Sequence, residues 1–235
     1  MTSKQMPPLV QIDSASGLAE ALATHIADKL SRAIDATGVA SLVVSGGSTP
    51  KPLFEALRKH DIQWNKVTVT LADERWVPET DADSNAAFVK TTLLQGAAAS
   101  ATFVSLYEEG ETPQSGVSKV DQRLKTVAKP FTVVVLGMGG DGHTASLFPG
   151  APGTEAAMAE RKALVSIVEP TTVPQARITL TLDALNNTEC QLLHITGAEK
   201  RALVDEVLLD PASSPYPIAK FLRADNQRIS VYSTH

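Results

Sequence analysis

Val133-Val-Val-Leu-Gly-Met-Gly-Gly-Asp-Gly-His-Thr-Ala-Ser-Leu-Phe-Pro149 is the stretch whose reading settles the fold class. The apolar, β-branched run from Phe131 to Leu136 reads as a short strand buried on both faces. It stops abruptly at Gly137, Gly139, Gly140 and Gly142, with Asp141 and His143 set among them. A strand that ends in glycines and leads into a short helix puts its next side chains at the carboxyl edge of a sheet. In open α/β sheets that edge is where ligands bind. Glycine allows positive φ and close backbone approach, and a helix start offers unpaired N–H groups to an anion. Asp141 and His143 add an acid–base pair at the same point, and an imidazole placed there reads as catalytic.

Gly137-Met-Gly-Gly-Asp-Gly142 also fits the G-x-G-x-x-G spacing of dinucleotide-binding turns. The match lies in mid-chain rather than at a first strand–helix turn, and a carboxylate beside the glycines would crowd a pyrophosphate with negative charge. A nicotinamide or flavin is set aside, and no cofactor is predicted.

Two further strand ends precede this one. Val39 to Val44 is a buried strand that stops in Ser45-Gly46-Gly47-Ser48-Thr49-Pro50, followed by a helix through Leu53, Phe54 and Leu57. Thr49 is placed to cap that helix and Pro50 to open it. The turn lacks the Gly-Lys-Ser/Thr of a P-loop, and Pro50 stands where a nucleophile elbow needs glycine. What remains is a run of N–H groups with two hydroxyls, suited to phosphate or sugar oxygens. Val67 to Leu71 is a third strand and runs directly into Asp73-Glu-Arg-Trp-Val-Pro78. There Arg75 offers paired donors to a carboxylate or an oxyanion, with Asp73 and Glu74 read as holding it in place.

Around these pieces, Ser16 reads as the cap of a helix with Leu18, Leu22, Ile26, Leu30 and Ile34 on one face, after a loose start at Pro7 and Pro8. A helix around 85–94, a short strand at Val104–Leu106 and a helix over Gly116–Val127 lead back to the central strand. Glu108 to Thr112 reads as a solvated acidic loop. After Pro149 come an Ala/Gly loop, a strand over Ala163–Val168, a stiff Glu169–Pro174 connection, and a half-buried strand from Arg177 to Leu182. Gln191 to Thr196 is a buried strand leading to Gly197-Ala-Glu-Lys200, which sets Lys200 in the first turn of a helix. Ile229 to Tyr232 closes the pattern.

Composition bounds the function. The chain has 235 residues, with 43% hydrophobic and 20% charged, which is ordinary for a globular protein. Its net charge is −5 with no Lys/Arg cluster, so nucleic acid is not an expected partner. An anionic substrate would have to find its cations locally. No stretch approaches a membrane span and the start lacks the apolar core of a signal peptide, so no membrane partner and a cytoplasmic location are expected. The single cysteine, Cys190, reads as a small core residue rather than as a disulfide or metal ligand. Of five histidines, His25, His60, His194 and His235 fall in helix, helix end, buried strand and terminus, so no metal site is predicted.

With these segments in view the chain resembles the 6-phosphogluconolactonases and, more distantly, the glucosamine-6-phosphate deaminases of the same superfamily. Ser45–Pro50, Asp73–Pro78 with Asp83-Ser-Asn85, Gly137–Pro149, Arg177-Ile-Thr179 and Gly197–Lys200 carry the resemblance, and Asp-Gly-His-Thr-Ala-Ser-Leu-Phe-Pro is its specific part. The resemblance implies one domain over residues 1–235. It would be an open, mostly parallel, Rossmann-like sheet with helices on both faces, a three-layer α/β/α arrangement. It implies hydrolysis of 6-phospho-D-glucono-1,5-lactone to 6-phospho-D-gluconate in the oxidative pentose phosphate pathway. His143 would be the catalytic base, with Asp141 and Arg75 beside it. Gly46, Gly47, Ser48, Thr49, Asp73, Arg177 and Lys200 would bind the sugar phosphate, the expected small-molecule partner. Deaminases carry a glutamate within Asn-Glu-Pro where this chain has Leu147-Phe148-Pro149, which counts against amine release. A non-catalytic sugar-phosphate sensor would need an attached DNA-binding segment, for which the short start is expected to leave no room.

Overall fold

The computed structural model describes residues 6–171, 173–223 and 225–234. Residues 1–5 of the loose start, Thr172 of the stiff connection and His235 lie outside the described residues. In chain order the elements are β1 (Leu9–Gln11), α1 (Ala15–Thr37), β2 (Ala40–Val44), α2 (Lys51–Leu57), β3 (Val67–Leu71) and β4 (Asp73–Arg75). There follow α3 (Asn85–Thr92), β5 (Thr102–Val104), α4 (Pro113–Leu124), β6 (Phe131–Leu136), α5 (Thr154–Ala159) and β7 (Val165–Val168). The last are β8 (Arg177–Leu180), α6 (Leu182–Asn186), β9 (Thr188–Ile195), α7 (Ala198–Leu209) and β10 (Ile229–Ser233).

Seven strands form one sheet in the order β1-β10-β9-β6-β2-β3-β5, and every pairing in it is parallel. β2 and β6 are buried along their whole length, as mostly apolar strands covered on both faces are, and their polar residues Ser41 and Thr132 bond across to each other's strand. Helix α1 packs on α2, β2 and β6 on one side. Its stripe of Leu18, Leu22, Ile26, Leu30 and Ile34 is buried at helical spacing. Among the described residues no helix is long and apolar enough to cross a membrane.

The chain runs outward from β2 through β3 to β5, then returns to place β6 on the other side of β2. The strand order therefore reverses between β2 and β6. A crevice opens at the carboxyl ends of strands at such a point, because the two following loops diverge to opposite sides. The loops after β2 and β6 are Ser45–Pro50 and Gly137–Pro149, so the two glycine-rich stretches flank the switch point.

Three local expectations are corrected. Ser14, not Ser16, caps α1, accepting a bond from the Gly17 N–H at 3.1 Å. Thr49 does not cap α2, which begins at Lys51 with Pro50 at its cap position and no side-chain bond. No helix starts behind Gly142 either; the chain turns through to Pro149, and the next helix is α5. There the backbone closes on itself, with Gly139 N–H donating to His143 C=O at 2.9 Å and Gly142 N–H to Gly139 C=O at 3.1 Å. The Thr144 hydroxyl adds a bond to Gly137 C=O at 2.8 Å. Those amides are spent inside the loop rather than offered to an anion.

A second sheet, β4-β8-β7, is antiparallel and lay outside the sequence reading. Asp73-Glu-Arg75 is a strand within it, and β8 is buried at all four positions rather than half-buried. Helices α4 and α5 pack against its β7 strand. Its register sets Arg75 directly opposite Arg177.

Candidate active site

A cavity of about 330 Å³ opens at the switch point. Gly46, Gly47, Ser48 and Thr49 line it from the loop after β2, and Asp73 and Arg75 from β4. Arg177 reaches it from β8, Lys200 from α7, and Gly137, Gly139, His143 and Phe148 from the loop after β6. Of the residues expected to act on or bind the substrate, Asp141 alone does not line the cavity; it stands behind His143.

The two form a close pair, with His143 Nδ1 2.5 Å from Asp141 Oδ1. The same oxygen accepts the His143 backbone N–H at 3.2 Å. A carboxylate at Nδ1 fixes that nitrogen as the donor and leaves the Nε2 lone pair free. Phe148 backs the imidazole, its ring centroid 4.3 Å away. The turn can form only because Gly139 lacks a side chain. A Cβ there would come within 2.2 Å of the His143 ring and 2.7 Å of the Asp141 carboxylate. Ala145, in the cavity wall, has a φ of 49°, a non-glycine residue in the left-handed region beside the imidazole.

Arg75 is held differently from the sequence reading. Its guanidinium donates through Nη1 to Asn85 Oδ1, and Asn85 Nδ2 donates to Asp73 C=O at 2.9 Å. Asn85 in turn packs into the loop after β2, where a Cβ on Gly46 would fall 1.9 Å from its Oδ1. Glu74 acts one step further back. It is fully buried and accepts the backbone N–H groups of Asn85 (2.8 Å), Ala86 (2.7 Å) and Arg75 (2.8 Å), with the Ser84 hydroxyl at 3.2 Å. Burial pushes this carboxyl up to about 7, against those backbone donors. Asp73 accepts the Ser146 hydroxyl at 2.5 Å, tying β4 to the loop that carries His143. Trp76 does not join the cavity; its indole N–H donates to Glu111 C=O at 2.9 Å. The acidic loop is not merely solvated, since Glu108 also pairs with Arg123 at 3.0 Å.

Arg75 and Arg177 stand opposite each other on β4 and β8, and Asp73, Asp83 and Glu74 partly offset their repulsion. Arg177 is 6% exposed and its Nη1 has no hydrogen-bond partner among the described residues. Burial, then the adjacent Arg75, lowers its affinity for a proton. Its Nη1 is sealed from the cavity, so the guanidinium lines the wall by its other atoms.

Among the polar side chains of the cavity wall, Asn85 and His194 were not foreseen as site residues, nor was Ser45 of the glycine turn. Asn85 opens α3 and stands in Asp83-Ser-Asn85, a segment that carries the family resemblance but to which no role was attached. His194 is the one polar break in the apolar end of β9, two residues before the strand gives way to Gly197. Among the described residues no group of three or more His, Cys, Asp or Glu side chains is placed to hold a metal ion.

The family profile described as glucosamine-6-phosphate isomerases/6-phosphogluconolactonase matches residues 13–230. A Pseudomonas aeruginosa protein named 6-phosphogluconolactonase is 42% identical over 213 residues, 90% of this chain and 89% of that one. One of the same name from Rhizobium meliloti is 39% identical over 221 residues, covering 94% and 95%. The crystal structure of a 6-phosphogluconolactonase from Shewanella baltica superposes with a TM-score of 0.94 at 38% identity, covering 98% of this chain and all of that one.

Proposed function

The chain belongs to the glucosamine-6-phosphate isomerase/6-phosphogluconolactonase family, and we propose that it hydrolyses 6-phospho-D-glucono-1,5-lactone to 6-phospho-D-gluconate, the lactone step of the oxidative pentose phosphate pathway, in the cytoplasm. The observation that carries this reading is the Asp141–His143 pair at the mouth of a cavity that also holds Arg75, Arg177 and Lys200. An activated ester needs a base, a water and charge stabilisation, and these residues supply the base and the charge.

With Nδ1 bonded to Asp141, His143 takes a proton from water at Nε2 while the water oxygen attacks the lactone carbonyl. Such a base contributes about 10²–10⁴-fold. The tetrahedral oxyanion lies against Arg75, whose fork is oriented through Asn85; one well-placed donor is worth about 3–4 kcal/mol. Collapse breaks the bond to the ring oxygen, which leaves as the C5 hydroxyl after receiving the proton from His143. Arg177, Lys200, the Ser48 and Thr49 hydroxyls and the amides of Gly46 and Gly47 take the phosphate, and Asp73 takes a sugar hydroxyl. Thr49 suits this role because its hydroxyl is not consumed in capping α2.

Phe148 favours lactone hydrolysis over amine release. It falls in the segment where the deaminases carry glutamate, and an apolar ring tilted against the imidazole cannot exchange protons with a sugar ring. The test is loss of the 6-phospholactone with purified protein, corrected for spontaneous hydrolysis. A rate well above background is expected. Release of ammonia from glucosamine-6-phosphate with no lactone hydrolysis would overturn the proposal. Hydrolysis is also expected to survive prolonged chelation, and activity lost to a chelator and restored by zinc would replace the imidazole base with a metal-bound hydroxide.

A further inference from the structure

His194 is the polar residue of the cavity wall that the proposed reaction leaves without a task. It lies near the end of β9, paired in register with Tyr232 of β10, and is 4% exposed. By the period of two along a strand it shares a sheet face with Cys190 and Leu192. On that same face His25 shows what a packing histidine looks like. Its Nδ1 meets the Tyr232 hydroxyl at 3.0 Å and its Nε2 meets the Cys190 thiol at 3.5 Å. Both nitrogens are satisfied.

His194 is built otherwise. Its Nδ1 is sealed inside the protein without a hydrogen-bond partner among the described residues, while the residue lines the cavity together with Lys200. The ring therefore meets the cavity by its other edge, the one that carries Nε2. Buried N–H groups without an acceptor are rarer than buried lone pairs without a donor, so the sealed Nδ1 keeps the lone pair and Nε2 carries the proton. Burial, with Lys200 nearby, pushes the ring down to about 4, which keeps it neutral at pH 7. A neutral ring in this tautomer offers the cavity one N–H and no acceptor, and what it recognises is an oxygen lone pair. Next to the Lys200 ammonium, the oxygen that fits is an anionic one.

We infer that His194 is a specificity-determining residue for the phosphoryl end of the substrate, its Nε2–H donating to a phosphate oxygen that Lys200 neutralises. The inference deepens the lactonase reading and rests on it. The division of labour follows from the two side chains. A flexible ammonium supplies charge without direction, whereas an imidazole packed into a strand supplies direction without charge. Together they discriminate a tetrahedral phosphate from the hydroxyl of an unphosphorylated lactone. The discrimination arises because a substrate lacking the acceptor leaves a buried donor unpaired.

The experiment compares His194→Leu, which fills the space without a donor, and His194→Gln, whose amide returns one. In His194→Leu, KM for the 6-phospholactone and the inhibition constant of orthophosphate are expected to rise about tenfold or more, as when a bond to a charged group is lost. In that variant kcat should stay within about twofold, and His194→Gln should recover much of the loss. A fall in kcat with KM and orthophosphate inhibition unchanged would overturn the inference, as would no change at all. Nitrogen-15 NMR of the wild-type imidazoles keeps it testable if His194→Leu does not fold. A protonated Nε2 whose resonance moves on saturation with orthophosphate is expected. A protonated Nδ1, or an Nε2–H indifferent to orthophosphate, would rule it out. If the wild type fails to hydrolyse the lactone, the proposed function falls, while the orthophosphate titration still judges His194.

Discussion

His143 is directed by one neighbour, and its replacement isolates that chemistry. Asn at position 143 keeps a polar group beside Asp141 but has no basic nitrogen. His143→Asn is expected to lower kcat by about a hundredfold or more while leaving the thermal midpoint near that of the wild type. The imidazole sits at the cavity mouth with its side chain 30% exposed, so little packing is lost. Turnover above the spontaneous rate, measured beside a melting curve, checks both halves; wild-type turnover would remove His143 from the mechanism. Arg177 and Lys200 are the residues proposed to meet the other end of the substrate. Binding that is equally strong in ground and transition states appears in KM alone. Arg177→Ala and Lys200→Ala should therefore each raise KM for the phosphorylated lactone about tenfold or more with kcat nearly unchanged. Unchanged KM in both would move the phosphate site elsewhere.

Glu74 joins strand β4 to helix α3, and the position of Arg75 depends on that joint. The carboxylate accepts the first amides of α3 and the amide of Arg75, so one side chain sets the distance from Asn85 to the guanidinium. Glu74→Gln turns one acceptor oxygen into a donor that faces backbone N–H groups. We expect a loss of about 1–3 kcal/mol in stability, with kcat falling because Arg75 is no longer held. The pH dependence has a definite sign. The folded value of about 7 lies above the ordinary carboxyl value of 4.5, so the native state holds this proton more tightly than the unfolded chain. This group's contribution is fully present below pH 4.5 and is lost as pH rises through 7. The stability gap between wild type and Glu74→Gln should thus narrow from pH 5 to pH 8, as read by denaturant midpoints; a gap independent of pH would count against it.

The site as assembled draws on both sheets. β2 and β6 contribute their following loops at the point where strand order reverses, and the small antiparallel sheet carries Arg75 and Arg177 across from them. A ligand that spans these parts binds the native state only and stabilises it by mass action. The product 6-phosphogluconate at about a hundred times its dissociation constant should add about 2.7 kcal/mol, or roughly 5–10 °C in midpoint for a chain of this size. Calorimetric scans with and without the product measure this directly. The shift should shrink at the same product concentration in Arg177→Ala, while gluconate should produce much less of it. An equal shift from gluconate would mean that the phosphate is not what Arg177 and Lys200 receive.

Much of this was legible in the linear chain. Val67–Leu71 and Phe131–Leu136 were read with the strand limits they have, because short runs of β-branched and apolar residues mark a strand locally. The Asp141–His143 pair was legible because its geometry is made within a few residues by glycines that admit the turn. Helix starts at Thr49 and after Gly142 were misread: cap residues and glycines are also what a ligand loop uses, and local propensity does not separate the two. The β4-β8-β7 sheet, the opposition of Arg75 and Arg177, and the meeting of Asn85 with Gly46 were decided only in three dimensions, since each joins segments remote along the chain. His194 is the clearest case. Its sequence neighbourhood is that of any buried strand, and only the pairing of β9 with β6 beside the switch point sets it, with Lys200, in the cavity wall. Periodicity and propensity act over a few residues, whereas pairing and cavity walls depend on which distant segments come to lie side by side.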